Sequence, residues 1–67
     1  MSKDKTHIFK LTNREQEVYE LLLKGFTQKK ISEILGAKLS SIQSYAHIIY
    51  EKKGVSGVKE LIEVANA

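Results

Sequence analysis

Leu11-Thr12-Asn13-Arg14-Glu15-Gln16-Glu17-Val18, followed by Gly25-Phe26-Thr27-Gln28-Lys29-Lys30-Ile31-Ser32-Glu33-Ile34-Leu35-Gly36, is the stretch whose reading decides the fold. Thr12-x-x-Glu15 forms a capping box: the threonine oxygen accepts from an amide one turn into a helix, and the glutamate reaches back to the threonine's own amide. Val18, Leu21 and Leu22 then recur at helical spacing and give that helix a stripe to bury. Gly25 can take the left-handed conformation that ends it. Thr27 is placed to cap a second helix whose Ile31, Ile34 and Leu35 face a core, and Gly36 ends that helix in the same way. About two residues separate it from the next helix, the spacing of a helix-turn-helix.

Working outward, a third helix is expected from about Leu39 to Lys53, with Ile42, Ala46 and Ile49 inward. Gly54 stops it, and Lys52 and Lys53 lie near its negative end. Its start has two solutions. Lys38 stands at the cap position but cannot accept a hydrogen bond, and it brings positive charge to the positive pole. Ser40-x-x-Gln43 is itself a capping box, and a helix beginning there, near Ser41, would tie Gln43 to the backbone. After Gly54-Val55, Ser56 can cap a fourth helix to about Asn66, with Val58, Leu61, Ile62 and Ala65 on one stripe. With no proline and no alternating pattern, the chain is expected to be all-α: a four-helix domain over residues 10–67, preceded by a flexible arm at residues 1–9.

Composition narrows the function. The 67 residues make one small domain near the size at which a single core struggles to offset chain entropy. Cysteine is absent, and His7 and His47 are too far apart in the chain for a zinc motif, so no metal site and no cofactor is expected. No acid/base pair, activated nucleophile or phosphate loop can be assembled, which argues against an enzyme. The longest apolar run, Leu21-Leu22-Leu23, is far too short for a membrane, so a soluble, cytoplasmic protein is expected. The net charge of +3 is unevenly spread. Lys24, Lys29, Lys30, Lys38, Lys52 and Lys53 are opposed only by Glu33 and Glu51 in the middle segment, while the ends are balanced or slightly acidic.

The blocks from Leu11 to Val55 resemble the LuxR-type helix-turn-helix, the DNA-binding module of many bacterial quorum-sensing receptors and response regulators. That family reads L-T-x-R-E-x-E-V, then G-x-[ST]-x-K-x-I-[AS]-x-x-L, then [TS]-[VI] and K-x-G-V, and every block falls into register here without a gap. The resemblance implies a four-helix fold, double-stranded DNA as partner and a homodimer formed through the last helix by Val58, Leu61, Ile62 and Ala65. It places Gln43, Ser44 and His47 against base edges in the major groove: Gln43 toward adenine, Ser44 as donor or acceptor, and His47 as a donor to guanine. Thr27, Gln28, Lys29, Ser40, Ser41 and Tyr45 would hold phosphates, with Lys30 and Lys52 as more distant electrostatic contributors. Core closure is the other role open to Tyr45.

Three departures from the pattern weigh on strength of binding. Ala37 replaces a larger aliphatic residue, Lys53 replaces a leucine and Gln43 replaces a frequent lysine. The segment from Leu39 to Tyr50 therefore holds no lysine or arginine. With about ten residues ahead of the motif, the chain reads as a freestanding regulator without a receiver or ligand-binding domain. Two other classes compete with it. One is a small module that heterodimerises with a larger regulator or with RNA polymerase; the other is a piece resembling the promoter-binding region of sigma factors, which shares the L-T-x-R-E opening but not the Lys52-x-Gly54-Val55 junction.

Overall fold

The computed structural model describes residues 10–67, so the expected arm at residues 1–9 lies outside the described residues. Four helices succeed one another: α1 (Asn13–Leu23), α2 (Gln28–Leu35), α3 (Leu39–Lys53) and α4 (Val58–Ala65). Among the described residues there is no strand. The core is one cluster of seven buried apolar side chains: Val18 and Leu22 from α1, Ile31 from α2, Ile42, Ala46 and Ile49 from α3, and Leu61 from α4. Three of the seven belong to α3, and that helix packs against each of the other three. Leu11, Tyr19, Leu21, Leu35, Ala37, Tyr45, Tyr50 and Val55 close the rim of the cluster.

The helix ends show why the chain breaks where it does. At α1 the capping box is complete: Glu15 N donates to Thr12 Oγ1 at 3.2 Å, and Thr12 N donates to Glu15 Oε1 at 3.0 Å. Its other end is a Schellman turn, with Phe26 N donating to Leu21 O and Gly25 N to Leu22 O, and Gly25 takes φ +92. A side chain there would be strained. Thr27 caps α2 by accepting from Lys30 N at 3.1 Å. Gly36, at φ +67, turns the chain from α2 into α3 and lets Ala37 N reach Ser32 O at 3.0 Å.

α3 begins at Leu39, the longer of the two expected starts, with Lys38 as its cap residue in an extended conformation. No side chain caps it. Gln43 is exposed and is not tied back to the helix start, so the capping box at Ser40-x-x-Gln43 does not form. The helix holds in this register because Ile42, Ala46 and Ile49 are fully buried along one side, which outweighs the missing cap.

Two details differ from the expected pattern. Ile34 is 47% exposed and does not join the core. α2 is only two turns long, and with Ile31 buried and Leu35 at the rim its inward face is already filled. Ser56 does not cap α4: the cap residue is Gly57, which has no side chain to offer. Ser56 instead donates its amide to Glu60 Oε1 at 2.7 Å, so the acidic residue in the first turn of α4 reaches back to hold the entering chain.

The uncapped start of α3 yields a stability prediction. Lys38 is exposed, with φ −67 and ψ 145, the geometry of an N-cap. Lys38→Ser supplies an acceptor for the free amides of the first turn and is expected to stabilise the domain by about 0.5–1 kcal/mol. In thermal unfolding this registers as a rise in Tm of a few degrees. An unchanged or lower Tm would show that the first turn of α3 frays and is not limited by its cap.

Candidate nucleic-acid interface

Burial of Ile42, Ala46 and Ile49 fixes which side of α3 faces out. Ser40, Gln43, Ser44, His47 and Ile48 line a shallow open groove on that side. The three expected base readers, Gln43, Ser44 and His47, are thus exposed together on one helix face. His47 has a partner there: its Nε2 lies 3.3 Å from Glu51 Oε2, one turn further along the helix. Sequence reasoning passed over Glu51, although His and Glu at i, i+4 are neighbours on any helix.

The expected phosphate-binding residues occupy two helix starts. At α2, Thr27 is exposed, Gln28 is half-buried and Lys29 is exposed. Thr27 Oγ1 accepts the Lys30 amide, and its own hydroxyl proton remains able to donate. At α3, Ser40 is exposed and Ser41 half-buried beside backbone amides with no side-chain cap. Such amides, together with the positive helix end, suit an anion. Lys29 and Lys38 make no ion pair among the described residues, whereas Lys30 lies 3.9 Å from Glu33. Tyr45 is half-buried and packs against the core.

Lys52 is placed differently from the expectation. Its Nζ donates to Glu15 Oε1 at 2.8 Å and to Lys10 O at 3.0 Å, and its side chain is only 22% exposed. It is engaged inside the domain, held between a carboxylate and a carbonyl. The pair joins the start of α1 to the end of α3, and the same Glu15 oxygen serves the capping box. Lys53, where a leucine is usual in the family, sets its ammonium 4.9 Å from the centroid of the Tyr19 ring. A cation over a ring face is a favourable contact that a leucine would replace with apolar packing.

On α4, the four residues expected to meet a symmetry mate divide. Leu61 is 1% exposed and fills the core of its own domain, so its side chain has no surface to offer a partner. The expectation is corrected there: in a domain this small, the lid of the core needs the most central residue of the stripe. Val58 and Ala65 are exposed and Ile62 is half-buried. No helix among the described residues is long and apolar enough to cross a membrane.

Four helices with an exposed polar face on the third are the architecture of a DNA-binding helix-turn-helix, and the profile of the bacterial regulatory proteins of the luxR family matches residues 10–65. The chain belongs to that family, and its four helices are the LuxR-type helix-turn-helix domain. Domains of this kind are DNA-binding modules of transcription regulation, not enzymes. Comparison with curated proteins and with solved structures returned no significant match.

The Glu15–Lys52 pair makes the domain acid-sensitive. The hydrogen bond from Lys52, then that from the Thr12 amide, hold the Glu15 carboxyl below its ordinary value of 4.5, against the opposing effect of burial. The unfolded chain takes up that proton at the ordinary value. The stabilisation is therefore complete above about pH 4.5 and is lost as the pH falls through the lower, folded value. Glu15→Gln should cost about 1–3 kcal/mol at pH 7, reduced by the partial exposure of Lys52, and should flatten the fall in stability as the pH drops below the ordinary value of 4.5. Urea unfolding across that range tests it; parallel curves for the two proteins would assign the acid response to other carboxylates.

Proposed function

We propose that this chain is a sequence-specific transcription regulator that binds a two-fold DNA site as a homodimer, with α3 in the major groove. The observation that carries the reading is the outer face of α3, where Gln43, Ser44 and His47 stand exposed in one groove directly above an uncapped helix start. Gln43 suits a bidentate contact to adenine, and Ser44 and His47 complete the base-reading set. Thr27, Gln28, Lys29, Ser40, Ser41 and the hydroxyl of Tyr45 hold phosphates on either side. The N-termini of α2 and α3 supply backbone amides, and Lys38 adds a cation at the edge of the groove. The two-fold contact is made by Val58, Ile62 and Ala65, which remain at the surface of α4 after Leu61 is committed to the core.

A second reading is favoured by one feature: α3 carries no lysine or arginine from Leu39 to Glu51, and Glu51 puts a negative charge on its outer face. That face also suits a protein partner, such as a larger regulator or RNA polymerase, with the chain acting as a heterodimerising modulator in a bacterial cytoplasm. Binding to genomic DNA separates the two. Neutralisation of roughly five phosphates per dimer gives a log affinity that falls with log salt at a slope of about −4 to −5. No binding even at low salt would transfer the weight to the modulator.

Residue roles divide cleanly in a selection from random DNA. Gln43→Ala should relax the preference at one base pair by about 1–3 kcal/mol, while Lys29→Ala should weaken all sequences alike. An equal loss on all sequences from both variants would remove Gln43 from the base-reading set. For assembly, wild type should bind an inverted repeat with half-sites about 34 Å apart far better than a single half-site. Ile62→Asp or Val58→Asp should abolish that advantage; retention of it by both variants would exclude α4 as the contact.

A further inference from the structure

We propose that Ile48 is a specificity-determining residue: it forms one edge of the α3 groove as an apolar surface that selects the C5 methyl group of a thymine in the major groove. The inference rests on the DNA-binding reading and adds to it one base and the atom by which that base is chosen. Ser40, Gln43, Ser44, His47 and Ile48 line the groove, and the first four carry hydrogen-bonding side chains. Ile48 is the apolar one. Two other large side chains of α3 could offer apolar surface to DNA, and the structure places both outside the groove. Leu39, 41% exposed, stands at the helix start and does not line it, and Tyr50 is half-buried and packs against the core.

Ile48 is half-buried, so part of its side chain is covered by the domain and part is left at the groove. A β-branched side chain on a helix is stiff at χ1, and little conformational freedom remains to be lost when its exposed part is covered. On an α-helix Ile48 stands about 7.5 Å beyond Gln43 and about 140° around the axis from it. The two residues therefore bracket the reading face. At about 3.4 Å per base pair they meet different pairs, two steps apart when the helix lies along the groove. Of the four bases, thymine alone presents a methyl group to the major groove. Against it, Ile48 removes apolar surface of both partners from water, and one buried methyl is worth about a fourfold change in affinity. Against cytosine N4 or a purine N7, the same side chain displaces water from a polar group and returns no hydrogen bond. Discrimination thus comes from exclusion as well as from attraction.

The test acts first on the DNA, so that the fold of the protein is untouched. The preferred site is selected from random duplexes at low salt with the 67-residue protein. Each thymine of that site is then replaced in turn by uracil, which pairs in the same way and lacks only the methyl group. Wild type should lose about fourfold in affinity at one thymine per half-site, and a cytosine placed at that position should be bound more tightly when it is 5-methylated. The same scan is repeated with three variants. Ile48→Ala should bind the thymine and uracil sites alike, Ile48→Val should show a smaller difference than wild type, and Gln43→Ala should keep the full methyl effect while relaxing a different base pair. Melting curves of each variant establish that it is folded, and Ile48→Val carries the comparison if the alanine variant does not fold. A preferred site without thymine, or a uracil scan without effect, overturns the proposal. So does a methyl effect that keeps its full size in the Ile48 variants, which would assign the methyl to another residue or to the shape of the duplex. A wild type that binds DNA while giving any of these results leaves the DNA-binding reading standing; one that binds no DNA at low salt removes both.

Discussion

The rotation of α3 about its own axis is held by three buried side chains, Ile42, Ala46 and Ile49, and every property of the outer face depends on that placement. A helix advances about 100° per residue, so a packing slip of one position would carry Ser40, Gln43 and His47 off the groove in one direction, or Ser40 and Ser44 in the other, and bring a core isoleucine, Ile49 or Ile42, into it. Three helices act to prevent the slip. Val18 and Leu22 of α1, Ile31 of α2 and Leu61 of α4 complete the same cluster, in which Ala46 fills its place with a single methyl group. The far end is pinned separately. Lys52 reaches Glu15 and the Lys10 carbonyl, so the residue that starts α1 also fixes where α3 ends. A capping box and a long-range ion pair sharing one carboxylate oxygen couple the order of the first helix to the order of the third.

Much of this is legible in the chain because it is local. Thr12, Thr27, Gly36 and Gly54 act on backbone within a few residues of themselves, and α3 runs over the bounds that its glycine stop and inward stripe suggest. Features that depend on residues distant in sequence are not. Lys52 reads as a surface cation until Glu15, thirty-seven positions away, is brought beside it. Ile34 has the spacing of a core residue, but a two-turn helix meets the cluster along a narrow strip and leaves it outside. Ser56 is a good cap residue one position too early. Leu61 has the same spacing as Val58, Ile62 and Ala65, and only the three-dimensional packing tells the lid of the core from the surface beside it. The exposure of Gln43, Ser44 and His47 is readable from the inward stripe. The pairing of His47 with Glu51 is compatible with spacing too, but an i, i+4 separation allows a contact without requiring one, so the sequence does not single it out.

The distribution of charge suits a division of labour between holding DNA and reading it. Cations and free amides gather at the starts of α2 and α3, with Lys29, Lys38 and the uncapped first turn of α3, while the groove itself is lined by Ser40, Gln43, Ser44, His47 and Ile48, without a lysine or arginine. Phosphate attraction is long in range and indifferent to sequence, so placing it at the edges sets the register without favouring any base. Hydrogen bonds from neutral groups are short and directional, and they discriminate only once that register is set. On the proposed reading the Glu51 carboxylate at the far end of that face sharpens the distinction, because it opposes non-specific attraction slightly.

On the proposed DNA-binding reading such an arrangement leaves a single domain with little affinity to spare, and the surface of α4 bears on how the shortfall is met. With Leu61 inside, the proposed two-fold contact rests on three side chains of α4, Val58, Ile62 and Ala65, whereas stable complexes bury about 1,200–2,000 Å² in total. On the proposed reading, three side chains are too few to hold two free domains together at ordinary concentration. On a shared DNA duplex the situation changes, because two domains bound to adjacent half-sites face each other at an effective concentration in the millimolar range. A weak patch is then sufficient, and its weakness is useful: pairing is favoured only where two half-sites lie at the correct spacing. Specificity on this reading comes from the conjunction of two modest half-site affinities and one modest contact, none of which succeeds alone.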